Sequence, residues 1–477
     1  MEQTPEWTLE EIIKGSRGER ICGDLESVFA GVSIDSRSLR PDDLFVAVKG
    51  ESHDGHAFLS RAEEKGARGF LIKEGGAKAP VLEKWRRKGL AAAAVSDTTR
   101  ALGALGAFNL ARSGASVVAV TGSNGKTTTR NMTAAIARRR FRTLATAGNM
   151  NNHIGLPLTL LKLSRRHEWA VLEMGMNHPG EIGYLAGLCR PAVGVITNTG
   201  PAHLEGVGSL EGVAHAKGEL LENLQPGGWA VLNADDPRVD ILAEKAGEKV
   251  LYFGLSKTAA VRAGSIKKKG SAFSFDLALP GESLRVRLNV PGRFMIANAL
   301  AAAGAAHLMG ISGEDIRTGL EDFRPEPGRM SVRKAGEISV VDDTYNANPA
   351  SVAAAISALG ELAGAGGKFF VLGDMMELGE RAESMHREAG LAVAKAGAEG
   401  LCVSGRFAAA AAGGAREGGL DPGRIFRGTR DEIAAYIKKS LKPGDWVLVK
   451  GSRAAGMERV VEKLLETDPK KTDIKAD

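Results

Sequence analysis

Residues Val117 to Thr129 read VVAVTGSNGKTTT, an apolar strand-like run that leads into a turn bounded by Gly122 and Gly125. Glycines at these places let the backbone approach phosphate oxygens, and the helix that follows presents its positive amino end to them. We therefore expect the amides from Ser123 to Thr127 to surround the phosphates of ATP or GTP. Lys126 should meet the β- and γ-phosphates.

This loop is a short variant of the phosphate loop. Only Ser123 and Asn124 separate the two glycines, where the usual pattern has four residues. The alternative is a plain strand-to-helix turn with a surface lysine. Because strand, glycines, lysine and helix periodicity occur in register, we favour a nucleotide site in which Thr127 offers its hydroxyl to Mg²⁺ and Thr128 also contacts ATP.

The composition indicates a globular protein of several domains. At about 150 residues per domain, 477 residues predict roughly three. The net charge of +6 is dispersed, and the runs Arg138–Arg140 and Lys267–Lys269 are interpreted as solvated helix or turn faces. Aromatic residues make up only 5%, so we expect anionic small substrates and no nucleic-acid partner.

Cysteine usage and hydropathy predict a cytoplasmic protein without a membrane span. Cys22, Cys189 and Cys402 lie far apart and lack metal-ligand spacing, which is typical of a reducing compartment. The acidic, amphipathic start of the chain does not resemble a signal peptide. No apolar run reaches the length of about 18 residues that a spanning helix needs.

The order of apolar runs predicts an α/β fold with three domains. We expect a small unit at 1–97, a central phosphate-loop domain at 98–322 with a largely parallel sheet, and a dinucleotide-fold-like domain at 323–477. The boundary near residue 323 follows from the segment FRPEPGR, which also predicts a hinge. The third domain lacks G-x-G-x-x-G after its first strand, so no NAD site is predicted, and the tail from Asp468 is predicted to be disordered.

Three further residues carry possible chemistry on residue type alone. Glu173 ends the run WAVLE, where a phosphate-loop protein often places an acid for Mg²⁺, although a solvated carboxylate is the alternative. His203 follows the next strand, and a lone histidine is more often a satisfied polar residue than a metal ligand. Lys217 lies in a helical segment near Glu219, and a solvated helix face is its default interpretation.

Several segments together resemble the Mur ligases, and within that family the branch that adds a dipeptide. The resemblance extends from DSRSLRPDDLFVAVKG at 35–50 to VLVKGSRAAGME at 447–458. The segments that carry it most specifically are TGSNGKTTT at 121–129, GNMNNHIGLPLTLL at 148–161, EMGMNHPGEI at 173–182, TNTGPAHLEGVGSLEGVAHAKGE at 197–219 and DDTYNANPAS at 342–351. The D-N-P-R string of the diaminopimelate-adding branch is absent.

The resemblance implies an ATP-dependent amide ligase of cytoplasmic peptidoglycan precursor synthesis. Such an enzyme joins D-alanyl-D-alanine to UDP-N-acetylmuramoyl-tripeptide through an acyl phosphate, with two Mg²⁺ ions, and we expect a monomer. The implied magnesium ligands are Thr127, Glu173, His203 and a carbamylated Lys217. Lys126, Lys217, His203 and Glu173 are the implied catalytic residues.

The resemblance also implies contacts with the two nucleotides. Asn298 corresponds to an asparagine that bonds adenine, and Arg329 to a nucleotide-contacting arginine. The ribose is expected near Asp343 or Tyr345. The implied contacts with the UDP-linked substrate are Asp35, Ser36, Arg37, Asn151 and Asn152, although a simple Asp–Arg turn remains an alternative for the first three.

Two other functions remain open on the sequence. Folylpolyglutamate synthesis uses a related amide ligase, but it does not explain a separate α/β unit before the phosphate loop. A non-catalytic switch driven by ATP hydrolysis is the alternative outside amide ligation. Phosphate release that needs neither tripeptide nor dipeptide would favour the switch.

Overall fold

The computed structural model describes residues 6–50, 53–202 and 204–466, so His203 and the tail from Asp468 lie outside the described residues. Three main sheets follow one another along the chain with helices on their faces. This arrangement confirms the predicted α/β class with three domains. The exact boundaries at residues 97 and 322 stay a prediction.

The first unit contains a five-stranded sheet. The strands of this unit, including a separate two-stranded pair, are β1 (Trp7–Thr8), β2 (Glu19–Cys22), β3 (Val28–Phe29), β4 (Val32–Ser33), β5 (Leu44–Val46), β6 (Gly69–Lys73) and β7 (Ala91–Val95). The sheet order is β2-β7-β6-β5-β4, in which β2 alone is antiparallel to its neighbour, and β1 pairs separately with β3. The helices are α1 (Leu9–Ser16), α2 (Leu59–Glu64) and α3 (Ala79–Arg87), with a 3₁₀ turn at Gly55–Phe58.

Local sequence explains these elements. Thr8 and Glu11 form a reciprocal capping box that starts α1. The apolar run of β6 is buried, because helices cover the parallel part of the sheet. Phe70 of this strand stacks on Trp85 of α3 with ring centroids 4.0 Å apart.

The central unit contains a nine-stranded sheet. Its strands are β8 (Ser116–Thr121), β9 (Thr143–Ala145), β10 (Trp169–Glu173), β11 (Val193–Ile196), β12 (Trp229–Asn233), β13 (Val250–Gly254), β14 (Val261–Lys269), β15 (Ala272–Leu279) and β16 (Glu282–Leu288). The sheet order is β16-β15-β14-β13-β12-β11-β8-β10-β9. Within the sheet, the neighbouring strands β14, β13, β12, β11, β8, β10 and β9 are all parallel. Strands β14, β15 and β16 form an antiparallel meander at the other edge.

The helices of the central unit cover both faces of this sheet. Helix α4 (Thr98–Ser113) precedes the first strand of this sheet. The later helices are α5 (Lys126–Ala137), α6 (Gly155–Leu160), α7 (Glu181–Cys189), α8 (Leu204–Val207), α9 (Leu210–Glu222), α10 (Val239–Ala246), α11 (Met295–Leu308) and α12 (Gly313–Asp322). The alanine-rich α11 is buried almost throughout. Small side chains there let this helix lie close to the sheet.

Helix α4 is shared between the first two units. Asp97 caps it through hydrogen bonds from the amides of Thr99 and Arg100. Leu102 and Leu105 of α4 belong to the hydrophobic core of the first unit, which also includes Leu161 from the central unit. The first unit is therefore packed against the central one along this helix.

The third unit contains a six-stranded sheet in the order β17-β18-β22-β19-β20-β21. The strands are β17 (Ser331–Ala335), β18 (Ile338–Asp343), β19 (Lys368–Leu372), β20 (Gly400–Val403), β21 (Ile425–Arg427) and β22 (Trp446–Lys450). Only β17 is antiparallel to its neighbour. The helices are α13 (Pro349–Ala363), α14 (Ala382–Lys395), α15 (Ala408–Glu417), α16 (Arg430–Ser440) and α17 (Glu458–Leu465), with 3₁₀ turns at Gly379–Arg381, Pro422–Arg424 and Arg453–Ala455.

Several surface and redox predictions can be compared with this fold. The Lys267–Lys269 run is exposed, but it ends strand β14 and is neither helix nor turn, which corrects the local expectation. Cys22, Cys189 and Cys402 are free and buried. In the described part of the chain, no helix combines the length and apolarity that crossing a bilayer requires.

Candidate active site

The phosphate loop lies between β8 and α5, at the carboxyl edge of the central sheet. Gly122 has φ +146°, and a Cβ there would lie 1.9 Å from the Thr197 hydroxyl oxygen. Gly125 has φ +80°, and a Cβ there would lie 2.2 Å from Asn298 Oδ1. Both glycines are therefore required by conformation and by space.

The loop is anchored on the segment that follows β11. The amide of Ser123 donates to Asn198 O at 2.9 Å, and the amide of Asn124 donates to Asn198 Oδ1 at 3.0 Å. The Thr197 hydroxyl donates to Asn124 O at 2.6 Å, and the Ser123 hydroxyl donates to Gly200 O at 2.6 Å. The loop backbone is thus held in place by polar groups at the end of a neighbouring strand.

Lys126 begins helix α5 and folds back over the loop. Its Nζ donates to Gly122 O at 2.7 Å. Burial lowers the pKa of Lys126, and the cation of Arg329 lowers it further, whereas Glu173 and Glu377 oppose this shift. The lysine therefore sits where carboxylates and other cations converge on one edge of the sheet.

Glu173 lies at the centre of a buried polar cluster. One oxygen of its carboxylate accepts a hydrogen bond of 2.7 Å from the Thr127 hydroxyl, and the other accepts one of 2.8 Å from Asn151 Nδ2. The guanidinium of Arg130 lies 3.6 Å from the same carboxylate, and both side chains are 3% exposed. The interpretation of Glu173 as a solvated carboxylate is therefore wrong, because this carboxylate is buried and bonded.

The oxygen atoms of Thr127 and Glu173 fit the chemistry of magnesium, which prefers oxygen ligands. Among residues 6–50, 53–202 and 204–466, no group of three or more histidine, cysteine, aspartate or glutamate side chains could hold a metal ion. His203, predicted as a ligand, lies outside these residues. The complete ligand set therefore stays a prediction.

Lys217 lies on α9 and is only 1% exposed. The default interpretation as a solvated helix lysine is thus wrong. Glu219 does not pair with it, since its carboxylate accepts the amides of Gly180 and Gly183 at the start of α7. Burial lowers the pKa of Lys217 well below its usual value, and the charge of Lys126 lowers it further, which favours a neutral amine.

The residues predicted to face the nucleotide surround the loop from two sides. Asn298 is buried on α11 and accepts a long hydrogen bond of 3.5 Å from the Thr129 hydroxyl. The guanidinium carbon of Arg329 lies 3.8 Å from the centre of the Tyr345 ring, which is a cation–π contact. Asp343 is bonded elsewhere in the third unit, to Lys450 Nζ at 2.5 Å and to the Met330 amide at 3.1 Å.

A cleft of about 1090 Å³ connects these groups. Many predicted site residues line it: Ser123, Asn124, Gly125, Lys126, Thr127, Thr128, Asn151, Asn152, Glu173, Asn298, Arg329, Asp343 and Tyr345. The cleft lies between the central and third units, because residues of both line it. Gly122, Lys217 and the Asp35–Arg37 turn are not among the lining residues.

The Asp35–Arg37 turn lies apart from this cleft, after β4 in the first unit. Arg37 Nη2 lies 2.7 Å from the Asp35 carboxylate, and the arginine side chain is 76% exposed. The hydrogen bond from Arg37 holds the pKa of Asp35 at about 2. The intervening residue in the sequence, Ser36, is buried. The simple Asp–Arg turn is therefore present in the structure. Contact of these residues with the UDP-linked substrate stays a prediction.

The two asparagines predicted to bind substrate have different environments. Asn151 bonds Glu173, as described above, and its carbonyl accepts the Gly175 amide at 2.9 Å. Asn152 Oδ1 accepts the amide of Gly155 at 2.9 Å, at the start of α6. Asn152 therefore accepts the first backbone amide of α6, and both asparagines line the cleft.

Two polar residues of the cleft region were missed by sequence reasoning. Arg130 lies one helical turn after Lys126, and that spacing could have indicated its position beside Glu173. Asn348 precedes a proline at the start of α13 and donates from Nδ2 to Asn124 Oδ1 at 2.8 Å. An Asn-Pro pair predicts a helix cap, but nothing in the sequence indicates a partner in the phosphate loop.

Comparisons with known proteins point to one family. Three family descriptions match in chain order: "Mur ligase family, catalytic domain" at 28–125, "Mur ligase middle domain" at 120–306 and "Mur ligase, glutamate ligase domain" at 328–453. The UDP-N-acetylmuramoyl-tripeptide–D-alanyl-D-alanine ligase of Escherichia coli (strain K12) is 38% identical. That alignment covers 96% of this chain and 98% of the relative.

Solved structures give the same result. The crystal structure of MurF from Acinetobacter baumannii is 31% identical with a TM-score of 0.89, covering 98% of this chain and 100% of that one. MurF ligase from Thermotoga maritima, solved in complex with ADP, is 29% identical with a TM-score of 0.80, covering 91% of this chain and 97% of that one. The similarity therefore extends over all three units.

Proposed function

Because this chain belongs to the Mur ligase family, we propose that it is an ATP-dependent ligase that joins D-alanyl-D-alanine to UDP-N-acetylmuramoyl-tripeptide. The observation that carries this proposal is the phosphate loop, whose Thr127 hydroxyl contacts Glu173 at the edge of a cleft shared by two units. The named activity of the E. coli relative supports the choice of substrates. The product is a cytoplasmic precursor of peptidoglycan.

The reaction proceeds in two steps. First, an oxygen of the tripeptide's terminal carboxylate attacks the γ-phosphorus of ATP, and the bond to the β–γ bridging oxygen breaks, giving an acyl phosphate and ADP. Second, the free amine of the dipeptide attacks the acyl carbon, and the bond to the phosphate oxygen breaks. The products are the amide, inorganic phosphate and one proton from the amine.

The chain's own part in the first step is positioning and charge. The amides of Ser123 and Asn124 are bonded to Asn198, which corrects the expectation that they face the phosphates. We therefore assign the phosphates to the amides from Gly125 to Thr127, at the start of α5, while Lys126 neutralises charge on the transferred group. A carboxylate and a triphosphate repel each other, so positive charge at their junction lowers the barrier. The bonds from Thr197 and Asn198 to the loop keep these donors in place before reaction.

Magnesium fits this site through oxygen ligands. We assign Thr127 and Glu173 to one ion and His203 with Lys217 to a second, as the family resemblance implies. When bound, the ions supply positive charge that stabilises the transferring phosphoryl group. Glu173 is buried and bonded on both oxygens, which supports its role as an ordered ligand.

Lys217 is assigned as the carbamylated lysine of the site. A neutral lysine amine adds to CO₂ and loses one proton, which gives a carbamate anion. The lowered pKa of the buried Lys217 supplies the neutral amine, and no hydrogen bond or ion pair occupies this side chain within the described residues. The modification would turn a buried neutral amine into an anionic oxygen ligand for magnesium.

Nucleotide and substrate contacts complete the assignment. Asn298 is proposed to bond adenine, and Arg329, with Asp343 or Tyr345, to contact the rest of ATP. Arg329 stacks on Tyr345 at the cleft, which supports this placement. The UDP-linked substrate is proposed to contact Asp35, Ser36 and Arg37 in unit 1–97, and Asn151 and Asn152 in unit 98–322. The dipeptide is placed at unit 323–477, which closes over ATP about a hinge near Arg329 in a monomeric enzyme.

The test is phosphate release with each component omitted in turn. With ATP, Mg²⁺, UDP-N-acetylmuramoyl-tripeptide and D-alanyl-D-alanine, we expect stoichiometric phosphate and amide product. Omission of either peptide substrate should abolish sustained release. Release with ATP alone would favour the hydrolytic switch, and turnover with a folate substrate would favour the folylpolyglutamate alternative.

A further inference from the structure

One side-chain hydrogen bond connects the phosphate loop directly to the third unit. Asn348 Nδ2 donates to Asn124 Oδ1 at 2.8 Å, although the two residues are 224 positions apart in the chain. Both side chains are partly buried, and both residues line the cleft. The bond therefore spans the two sides of the proposed active site.

The amide group of Asn348 serves two partners. The side-chain Oδ1 accepts a hydrogen bond of 2.9 Å from the backbone amide of Ser351. In return, the backbone amide of Asn348 donates to the Ser351 hydroxyl at 3.0 Å, so the pair caps helix α13. The cap fixes the orientation of the side chain. Nδ2 is then directed towards the phosphate loop and is not used by the helix.

Asn124 is held through its backbone independently of this bond. Its amide donates to Asn198 Oδ1 at 3.0 Å, and its carbonyl accepts from the Thr197 hydroxyl and from Asn198 Nδ2. The side chain is therefore a fixed acceptor on a fixed loop. Its removal would leave the backbone contacts of the loop intact.

Helix α13 is also attached to the central unit near its other end. Lys268 Nζ donates a hydrogen bond to the carbonyl of Glu361 in the last turn of this helix. The segment immediately before α13 carries Asp343 and Tyr345, which face the cleft. Contacts at both ends of α13 thus set the position of this segment relative to the phosphate loop.

We propose that Asn348 is a positioning residue, which docks the amino end of α13 on Asn124 and aligns the third unit with the phosphate loop for catalysis. The inference rests on the proposed ligase function. Alignment matters because the acyl phosphate and the incoming amine are held by different units. A small displacement between them lowers the rate of the chemical step more than it lowers nucleotide binding.

The test is a double-mutant cycle. Asn348→Ser keeps a capping oxygen but is too short to reach the loop, and Asn124→Ala removes only the acceptor. We expect each change to lower kcat about tenfold, and the double variant to show about the same loss as either single variant. The KM for ATP should change less than about threefold, because the loop amides and Lys126 remain.

A cap variant elsewhere in the third unit provides the matched control. Thr429 caps α16 with Glu432, and it is not among the residues that line the cleft. Thr429→Ala should lower the melting temperature while kcat stays unchanged. Asn348→Ser should show the opposite pattern, with a melting temperature close to that of the unmodified chain.

Three results would overturn the inference. Unchanged kcat in Asn348→Ser is one, and multiplicative losses in the double variant are another, since independent residues would give about a hundredfold loss. A loss confined to the KM for ATP is the third. If Asn124→Ala fails to fold, Asn124→Ser replaces it. Failure of the proposed function is distinguishable, because the unmodified chain would then give no peptide-dependent phosphate release.

Discussion

The hydroxyl of Thr127 and the carboxylate of Glu173 are joined by a hydrogen bond of 2.7 Å, although they lie on a helix and on a neighbouring strand. Both side chains are buried. The pair brings the start of α5 and the end of β10 into direct contact. Because Arg130 and Asn151 also contact this carboxylate, the local charge balance depends on Glu173.

Glu173→Gln should raise the Mg²⁺ concentration needed for half-maximal phosphate release by about tenfold. The amide keeps the shape of the side chain but removes the charge that a metal prefers. It also leaves the Arg130 guanidinium buried without its anion, so stability should fall by on the order of 3 kcal/mol. A magnesium titration and a denaturant melt measure the two effects. Glu83→Gln, at an exposed ion pair on α3, is the control and should change neither.

Lys126→Ala should reduce phosphate release by at least about a hundredfold while the fold is retained. The reason is that its side chain supplies the positive charge of the loop, whereas the loop backbone is held by the bonds from Thr197 and Asn198. Phosphate assays and circular dichroism test this expectation. Lys162→Ala, at an exposed lysine outside the cleft, should behave as the unmodified chain does. Full activity of the Lys126 variant would contradict the loop assignment.

Lys217→Ala should be inactive and should regain partial activity with a short carboxylic acid such as acetate or propionate. The acid would fill the space of the lost side chain and supply an oxygen ligand in place of the carbamate. The same acid should not restore Lys126→Ala, which provides the control. Normal turnover of the Lys217 variant without added acid would remove Lys217 from the mechanism.

Asp343→Ala should destabilise the third unit, because Lys450 is 2% exposed and would lose its carboxylate partner. The expected loss is on the order of 3 kcal/mol. The double change Asp343→Ala with Lys450→Met should recover stability, since the buried charge is gone. If Asp343 also contacts the ribose, the double variant should still bind ADP less tightly, as calorimetry would measure. Restored ADP affinity would limit Asp343 to a structural role.

The buried cysteines should be unreactive in the native protein. Burial raises the pKa of Cys402 to about 12 and also raises those of Cys189 and Cys22. At about pH 8 the thiolate, which is the reactive form, is then scarce. A chromogenic disulfide reagent should label all three only after unfolding, when the burial that raises their pKa values is lost. Fast labelling of the folded chain would contradict the burial.

The parts of the fold that sequence reasoning identified are those with strong local signals. Strands β10, β11 and β12 are buried apolar runs between helices, so their parallel order and shared edge follow from the pattern. The β14–β16 meander was missed. Its first strand is irregular between Gly264 and Lys267, and its end is an exposed lysine run, so the alternation typical of a strand is interrupted.

For the candidate site, sequence reasoning succeeded where strand ends converge and failed where partners are distant. Glu173 beside Thr127 follows from the edge of a parallel sheet. The burial of Lys217 does not, because its helix has small and apolar residues on several sides and the pattern leaves its facing ambiguous. The use of both Asp343 oxygens by Lys450 and Met330 depends on pairing of β18 with β22, which no local signal predicts.

The hydrogen bond from Lys126 to the Gly122 carbonyl has a consequence for ligand choice. A phosphate group that binds the amino group of Lys126 must replace the Gly122 carbonyl oxygen, which accepts its hydrogen bond at 2.7 Å. A neutral or singly charged ligand gains little from that exchange, whereas a polyphosphate carries enough negative charge to win it. The Gly122 carbonyl thus makes the loop selective for polyphosphates over ligands that carry little negative charge.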